Sequence, residues 1–144
     1  MTFEYADRRC PHTHGRRCIR WGIVGRMIGK FHALVIDCED IEPMALFYQE
    51  LLGMQRVEGD ADWITIGDAA DRPAVAFQRV DKLTPPQWPS AEHPQQMHVD
   101  VLVGNLDEAE EKALALGARK QGYGTETFRV YLDPAGHPFC LVSS

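Results

Sequence analysis

Gln96-Met97-His98-Val99-Asp100-Val101-Leu102-Val103, set beside His32-Ala33-Leu34-Val35-Ile36-Asp37-Cys38-Glu39-Asp40, decides the fold, because each stretch opens the same succession of elements. Both begin with an extended, β-branched run and pass through a polar turn, Glu39-Asp40-Ile41-Glu42 or Asn105-Leu106-Asp107-Glu108, into an amphipathic helix. Both helices end at Leu-Gly, Leu52-Gly53 and Leu116-Gly117, and strands follow. The chain is a diverged internal repeat. Two tandem βαβββ modules predict an α+β fold: one curved mixed sheet, open-barrel in shape, with helices on its convex face and a concave face for a ligand.

Parity assigns the faces. Val99, Val101 and Val103 alternate with His98, Asp100 and Leu102, and the all-valine side is the one to pack on helices. His98 and Asp100 then face the concavity. In the first strand Leu34, Ile36 and Cys38 form the helix-facing set, leaving Ala33, Val35 and Asp37 inside and sending His32 outward. In the first helix Asp40 is the expected N-cap, Glu42 adds first-turn negative charge, and Met44, Phe47, Tyr48 and Leu51 recur at helical spacing up to Gly53. In the second, Asn105 or Asp107 caps a stripe of Leu106, Ala109, Ala113 and Leu116. Further strands are expected at 63–66, 74–80, 127–132 and 138–142, the last two joined by the turn Asp133-Pro134-Ala135-Gly136-His137.

Residues 1–26 read differently. They are basic and short of apolar periodicity, so the folded domain is expected to span 27–144, with module one at about 28–81, a linker at about 82–95 and module two at about 96–144. The segment is expected to be a disordered leader. Its Cys10, His12, His14 and Cys18 are soft or borderline ligands, but their spacing matches no zinc pattern. The linker carries Pro85, Pro86, Pro89 and Pro94 around Trp88, which is expected to pin it to the surface or roof the cavity.

Composition narrows the function classes. Of the 144 residues 44% are hydrophobic and 25% charged, ordinary for a globular domain. The sequence has neither a secretory signal nor a membrane span, so a cytoplasmic protein is expected, with Cys38 and Cys140 as free buried thiols rather than a disulfide. The net charge of −6 conceals an asymmetry: residues 31–144 carry eight Lys/Arg against nineteen acids. A face this acidic argues against nucleic acid as a partner.

Taken together, Val35-Ile36-Asp37-Cys38, Phe47-Tyr48 with Leu51-Leu52-Gly53, Phe77-Gln78, His98-Val99-Asp100, Leu116-Gly117-Ala118 and the closing Asp133-Pro134-Ala135-Gly136-His137-Pro138-Phe139-Cys140 resemble the vicinal oxygen chelate superfamily. The likeness is to its glyoxalase-like branch, relatives of glyoxalase I, bleomycin-resistance proteins and extradiol dioxygenases. It covers about residues 28–144. The resemblance implies four inner-strand metal positions, which fall here on Ala33, Gln78, His98 and Cys140. Only His98 is a good ligand: alanine cannot coordinate, Gln78 is a weak neutral donor, and Cys140 replaces a hard carboxylate with a thiol. No cofactor is therefore expected; a divalent ion, if held, would use His98 with Gln78 or Cys140.

The candidate ligand-contacting residues are Asp37, Trp63, Phe77, Gln78, Trp88, Phe128, Tyr131 and Cys140, although aromatic strand residues are core by default and Asp37 is as well placed to bond backbone. His98 and Asp100 are the candidate acid–base pair, with a simple mutual hydrogen bond as the plainer reading. The expected function is metal-free binding of a small organic ligand in a homodimer. Its alternative is a lyase, isomerase or dioxygenase-type enzyme with an atypical metal site or the His98/Asp100 pair.

Overall fold

The computed structural model describes residues 28–143. The leader and its Cys10–Cys18 cluster lie outside the described residues. In β1 (Leu34–Cys38), Ile36 and Cys38 are buried while Val35 and Asp37 are exposed, the alternation of a strand covered on one side. α1 (Ile41–Leu52) follows directly. Asp40 takes the extended N-cap conformation, but its side chain makes no capping bond; Gly53 closes the helix at φ 66°, a left-handed conformation that favours glycine. β2 (Gln55–Gly59), β3 (Trp63–Ala69) and β4 (Arg72–Arg79) complete the first module.

The second module repeats the order with β5 (Val99–Leu102), α2 (Leu106–Ala115), β6 (Arg119–Gly124), β7 (Phe128–Leu132) and β8 (Pro138–Val142). Asn105 caps α2, its side chain accepting from the Asp107 and Glu108 amides at 2.9 and 3.1 Å. Each module forms its own sheet, β1-β4-β3-β2 and β5-β8-β7-β6, with the first strand parallel to the last and the rest antiparallel. The single curved sheet expected from the repeat is thus two four-stranded sheets. β1 and β5 each end a sheet and do not pair with one another.

The helix-facing sides of both sheets share one core with α1. Its spine is a run of aromatic contacts from one module into the other. Phe77 of β4 meets Tyr48 at 5.4 Å, Tyr48 meets Phe47 at 5.2 Å, Phe47 meets Phe139 of β8 at 5.8 Å, and Phe139 stacks on Tyr131 of β7 at 5.5 Å. Such pairs contribute about 0.5–1.5 kcal/mol each beyond area burial. The two sheets are therefore held together through their helix-facing sides, leaving His98, Asp100 and Asp37 exposed on the opposite ones. Cys38 and Cys140 are free and buried. No helix among the described residues is long and apolar enough to cross a membrane.

α2 is fastened to its sheet by polar groups. Glu110 receives Lys120 Nζ at 2.8 Å, Tyr131 Oη at 2.6 Å and Arg129 Nη1 at 3.0 Å, and Arg129 also reaches Asp107 at 2.6 Å. These donors, Lys120 first and Tyr131 next, hold the Glu110 carboxyl down at about 2, against an ordinary value of 4.5. A depressed carboxyl contributes stability that is present above its unfolded value and lost as pH falls through the folded one. Acid titration of the folded protein between about pH 4.5 and 2 is expected to show a stability loss that Glu110→Gln flattens, read by circular dichroism.

Candidate ligand cavity

A cavity of about 710 Å³ lies where β1 and β5 meet the proline-rich linker. Residues 34–37 of β1 form one side and residues 96–99 another. Gln78 of β4 and His137 and Pro138 of the β7–β8 turn also contribute, while linker residues 83–86 and 92–94 cross over them. The volume falls within the roughly 300–1,000 Å³ of small-molecule sites. The linker is shaped to the turn: at Gly136, φ 100°, an added Cβ would lie 2.9 Å from Pro85 Cβ, so only glycine lets Pro85 pack there.

Two histidines are oriented by neighbours. His137 Nε2 lies 2.8 Å from the Asp37 backbone oxygen, an acceptor, so this nitrogen carries the proton. His98 Nε2 lies 3.3 Å from Asp100 Oδ1 and its Nδ1 lies 3.5 Å from the Gln95 amide nitrogen. Cys140, on β8 opposite Asp100, completes a cluster in which one donor atom of each of His98, Asp100 and Cys140 lies within 4.8 Å of the others. Burial first, then the Asp100 carboxylate, push the Cys140 thiol up to about 11. It is a protonated thiol at neutral pH.

The structure separates the sequence candidates. Asp37, Gln78 and His98 line the cavity. Asp37 does so with its side chain unbonded to described backbone, since the contact with His137 uses its carbonyl oxygen instead. Asp100 and Cys140 stand beside His98 but outside the lining. Phe77 and Tyr131 are corrections: both are fully buried under the helices, because they point to the opposite face from Gln78 and Val130 respectively. Trp63 borders a separate depression with Asp60, Asp62 and Gln78, its ring nitrogen bonding Thr65 Oγ1 at 2.8 Å. Trp88 packs edge-on against Tyr123 of β6 at 4.8 Å, pinning the linker rather than roofing the cavity. Phe128, half-buried on β7, does not reach the lining. Sequence reasoning missed Tyr48, Glu92, His93 and His137. Three of the four sit on the linker or the turn, where no periodicity marks a face.

Residues 33–142 match the glyoxalase-like domain family. The chain belongs to that family. This glyoxalase-like chain is a member of the vicinal oxygen chelate superfamily, and solved structures share its fold. It is similar to a glyoxalase/bleomycin resistance protein/dioxygenase family enzyme from Burkholderia phytofirmans (18% identity, TM-score 0.59), covering 77% of this chain and 95% of that one. It is similar to the fosfomycin resistance protein FosX from Listeria monocytogenes complexed with Mn(II) and sulfate (15%, 0.62), covering 82% and 91%. Likeness extends to a lactoylglutathione lyase from Agrobacterium tumefaciens (14%, 0.54), covering 80% and 93%. At these identities the likeness is one of fold. No curated protein matches the chain.

The superfamily's metal can be tested against the residues present. The first module offers Ala33, which has no donor, and the neutral Gln78. The second offers His98, whose Nε2 lies 3.3 Å from the Asp100 carboxylate, and a thiol, pushed up by burial, that must lose its proton to bind. Asp100 adds a carboxylate, yet all three donors come from one module. This set does not match a hard-ion centre built from both modules.

Proposed function

We propose that this protein is a cytoplasmic small-molecule-binding member of the glyoxalase-like family that holds an organic ligand in the β1–β5–linker cavity without a catalytic metal. The observation that carries the reading is the donor set: alanine, a neutral amide, an imidazole turned to a carboxylate, and a thiol held protonated. Walls of proline and aliphatic side chains supply apolar contact, and His98, Gln78 and Asp37 supply orientation. Protein purified without an affinity tag is expected to contain no stoichiometric manganese, nickel, zinc or iron by elemental analysis, and Mn(II) or Ni(II) is expected to leave the Tm unmoved. His98→Ala should leave ion content unchanged while weakening small-molecule binding, and Asp100→Ala should act in the same direction by releasing the imidazole. Stoichiometric metal that His98→Ala removes would overturn the reading.

The assembly proposed is a homodimer of closed two-fold symmetry. The exposed Val35 and Leu102, on strands that end their sheets, are the supporting surface. Light scattering at micromolar concentration is expected to give twice the chain mass.

The second reading, a metal-dependent enzyme, rests on the His98–Asp100–Cys140 cluster. Its mark would be zinc retained through dialysis and lost in Cys140→Ser.

A further inference from the structure

The charge of the cavity wall names a ligand class. Asp37 and Glu92 both line it, and neither forms an ion pair with a described residue. No lysine or arginine among the described residues lines it. Of the cations next in sequence to the lining, Arg79 is turned away, with Nε on the Ala61 carbonyl at 2.9 Å and on Asp62 at 3.5 Å, and Lys82, which precedes Leu83, is not itself in the wall. Three imidazoles, His93, His98 and His137, also line the wall, and His137 Nε2 lies on the Asp37 carbonyl. What His137 leaves open is an acceptor nitrogen.

A carboxylate or phosphonate placed here would meet two carboxylates without ion-pair partners and no lysine or arginine in the wall itself to offset its desolvation, a costly arrangement in a partly enclosed site. An ammonium would meet two charge-assisted acceptors within an apolar, proline-walled enclosure. The excess of acids over residues 31–144 favours the same sign at long range.

We infer that the cavity selects an organic cation, an amine carried on an apolar body, with Asp37 and Glu92 as the pair that receives the ammonium. This rests on the proposed cavity function and goes one step beyond it. A test separates the two. Amine, N-acetyl amide and carboxylate forms of the same aryl-alkyl scaffolds, 4-phenylbutylamine and its counterparts among them, are titrated into the full chain by calorimetry at low and high salt. The amines are expected to bind, on the order of tenfold or more tighter than their amides, with affinity falling as salt rises, and the carboxylates not to bind. Asp37→Asn and Glu92→Gln, both at exposed positions, are each expected to cost on the order of tenfold for the amines and markedly less for the amides. Carboxylates binding as well as amines, or amine affinity untouched by both variants, would overturn the charge inference and leave the cavity reading standing. Failure of every form to bind would count against the cavity itself.

Discussion

Replacing Asp133 by alanine is expected to lower stability by roughly 3–5 kcal/mol, the scale for unmaking its buried hydrogen bonds and leaving their donors unsatisfied. The carboxylate is fully buried and accepts three hydrogen bonds: from Tyr48 Oη at 3.0 Å, from the Gly136 amide at 2.8 Å and from the His137 amide at 2.9 Å. Tyr48 belongs to α1 in the first module, and the two amides form the β7–β8 turn in the second. One side chain therefore fastens the modules together and shapes the turn that walls the cavity. Alanine strands a buried hydroxyl and the half-buried His137 amide, each worth about 1–3 kcal/mol when unsatisfied, while the Gly136 amide keeps its bond to the backbone carbonyl of residue 133 at 3.1 Å.

Tyr48→Phe, which removes one donor and leaves the turn intact, should cost nearer 1 kcal/mol. Chemical denaturation of the two variants checks the ratio; equal losses would mean that the turn contacts contribute nothing.

The same group sets a pH dependence. Burial raises the Asp133 carboxyl above its ordinary value, with the nearby His137 and the donated hydrogen bonds working against that rise. The folded state then holds the proton more tightly than the unfolded chain. Its contribution is fully present below the unfolded value and is lost as pH rises through the folded one. Asp133→Asn keeps an acceptor and does not titrate, so its stability should lack this decline while remaining well above that of the alanine variant.

How much of this could be read from the chain depends on where burial leaves a signature. β8 was legible to its exact bounds, 138–142, because the Asp-Pro-x-Gly turn fixes where it begins and every residue but the last is buried. β2 and β6 could not be located. Gln55–Gly59 and Arg119–Gly124 are edge strands, polar and mostly exposed, and carry no alternation.

The number of sheets was also hidden, since whether β1 meets β5 is a matter of long-range register that neither strand records. Candidate aromatics failed for a local reason. Phe77 and Gln78 are neighbours in one strand and cannot share a face, so at most one of them reaches the site. Burial selects Gln78 for the cavity. Glu92, His93 and His137 reach it from the linker and the turn, and only the packing of Pro85 on Gly136 shows that these segments come together.

Phe139→Ala should have an effect as large as the Asp133 change, about 3–5 kcal/mol, the usual cost of deleting a fully buried phenyl ring. Phe139 is the ring through which the aromatic spine crosses between modules, 5.8 Å from Phe47 on α1 and 5.5 Å from Tyr131 on β7. Its backbone follows Pro138 and His137, both in the cavity wall. The cavity has one wall from β1 and another from β5 and the β7–β8 turn, so its shape depends on how the two modules sit against each other through this core. Below its unfolding midpoint the variant should therefore bind amine probes more weakly than the native chain, although no cavity-lining side chain has changed. Phe128→Ala, on the same sheet but outside the shared core, should cost less in stability and leave binding intact. Calorimetry on folded samples of both variants distinguishes these outcomes. Native affinity in Phe139→Ala would show that the cavity is set by β1 and the linker alone.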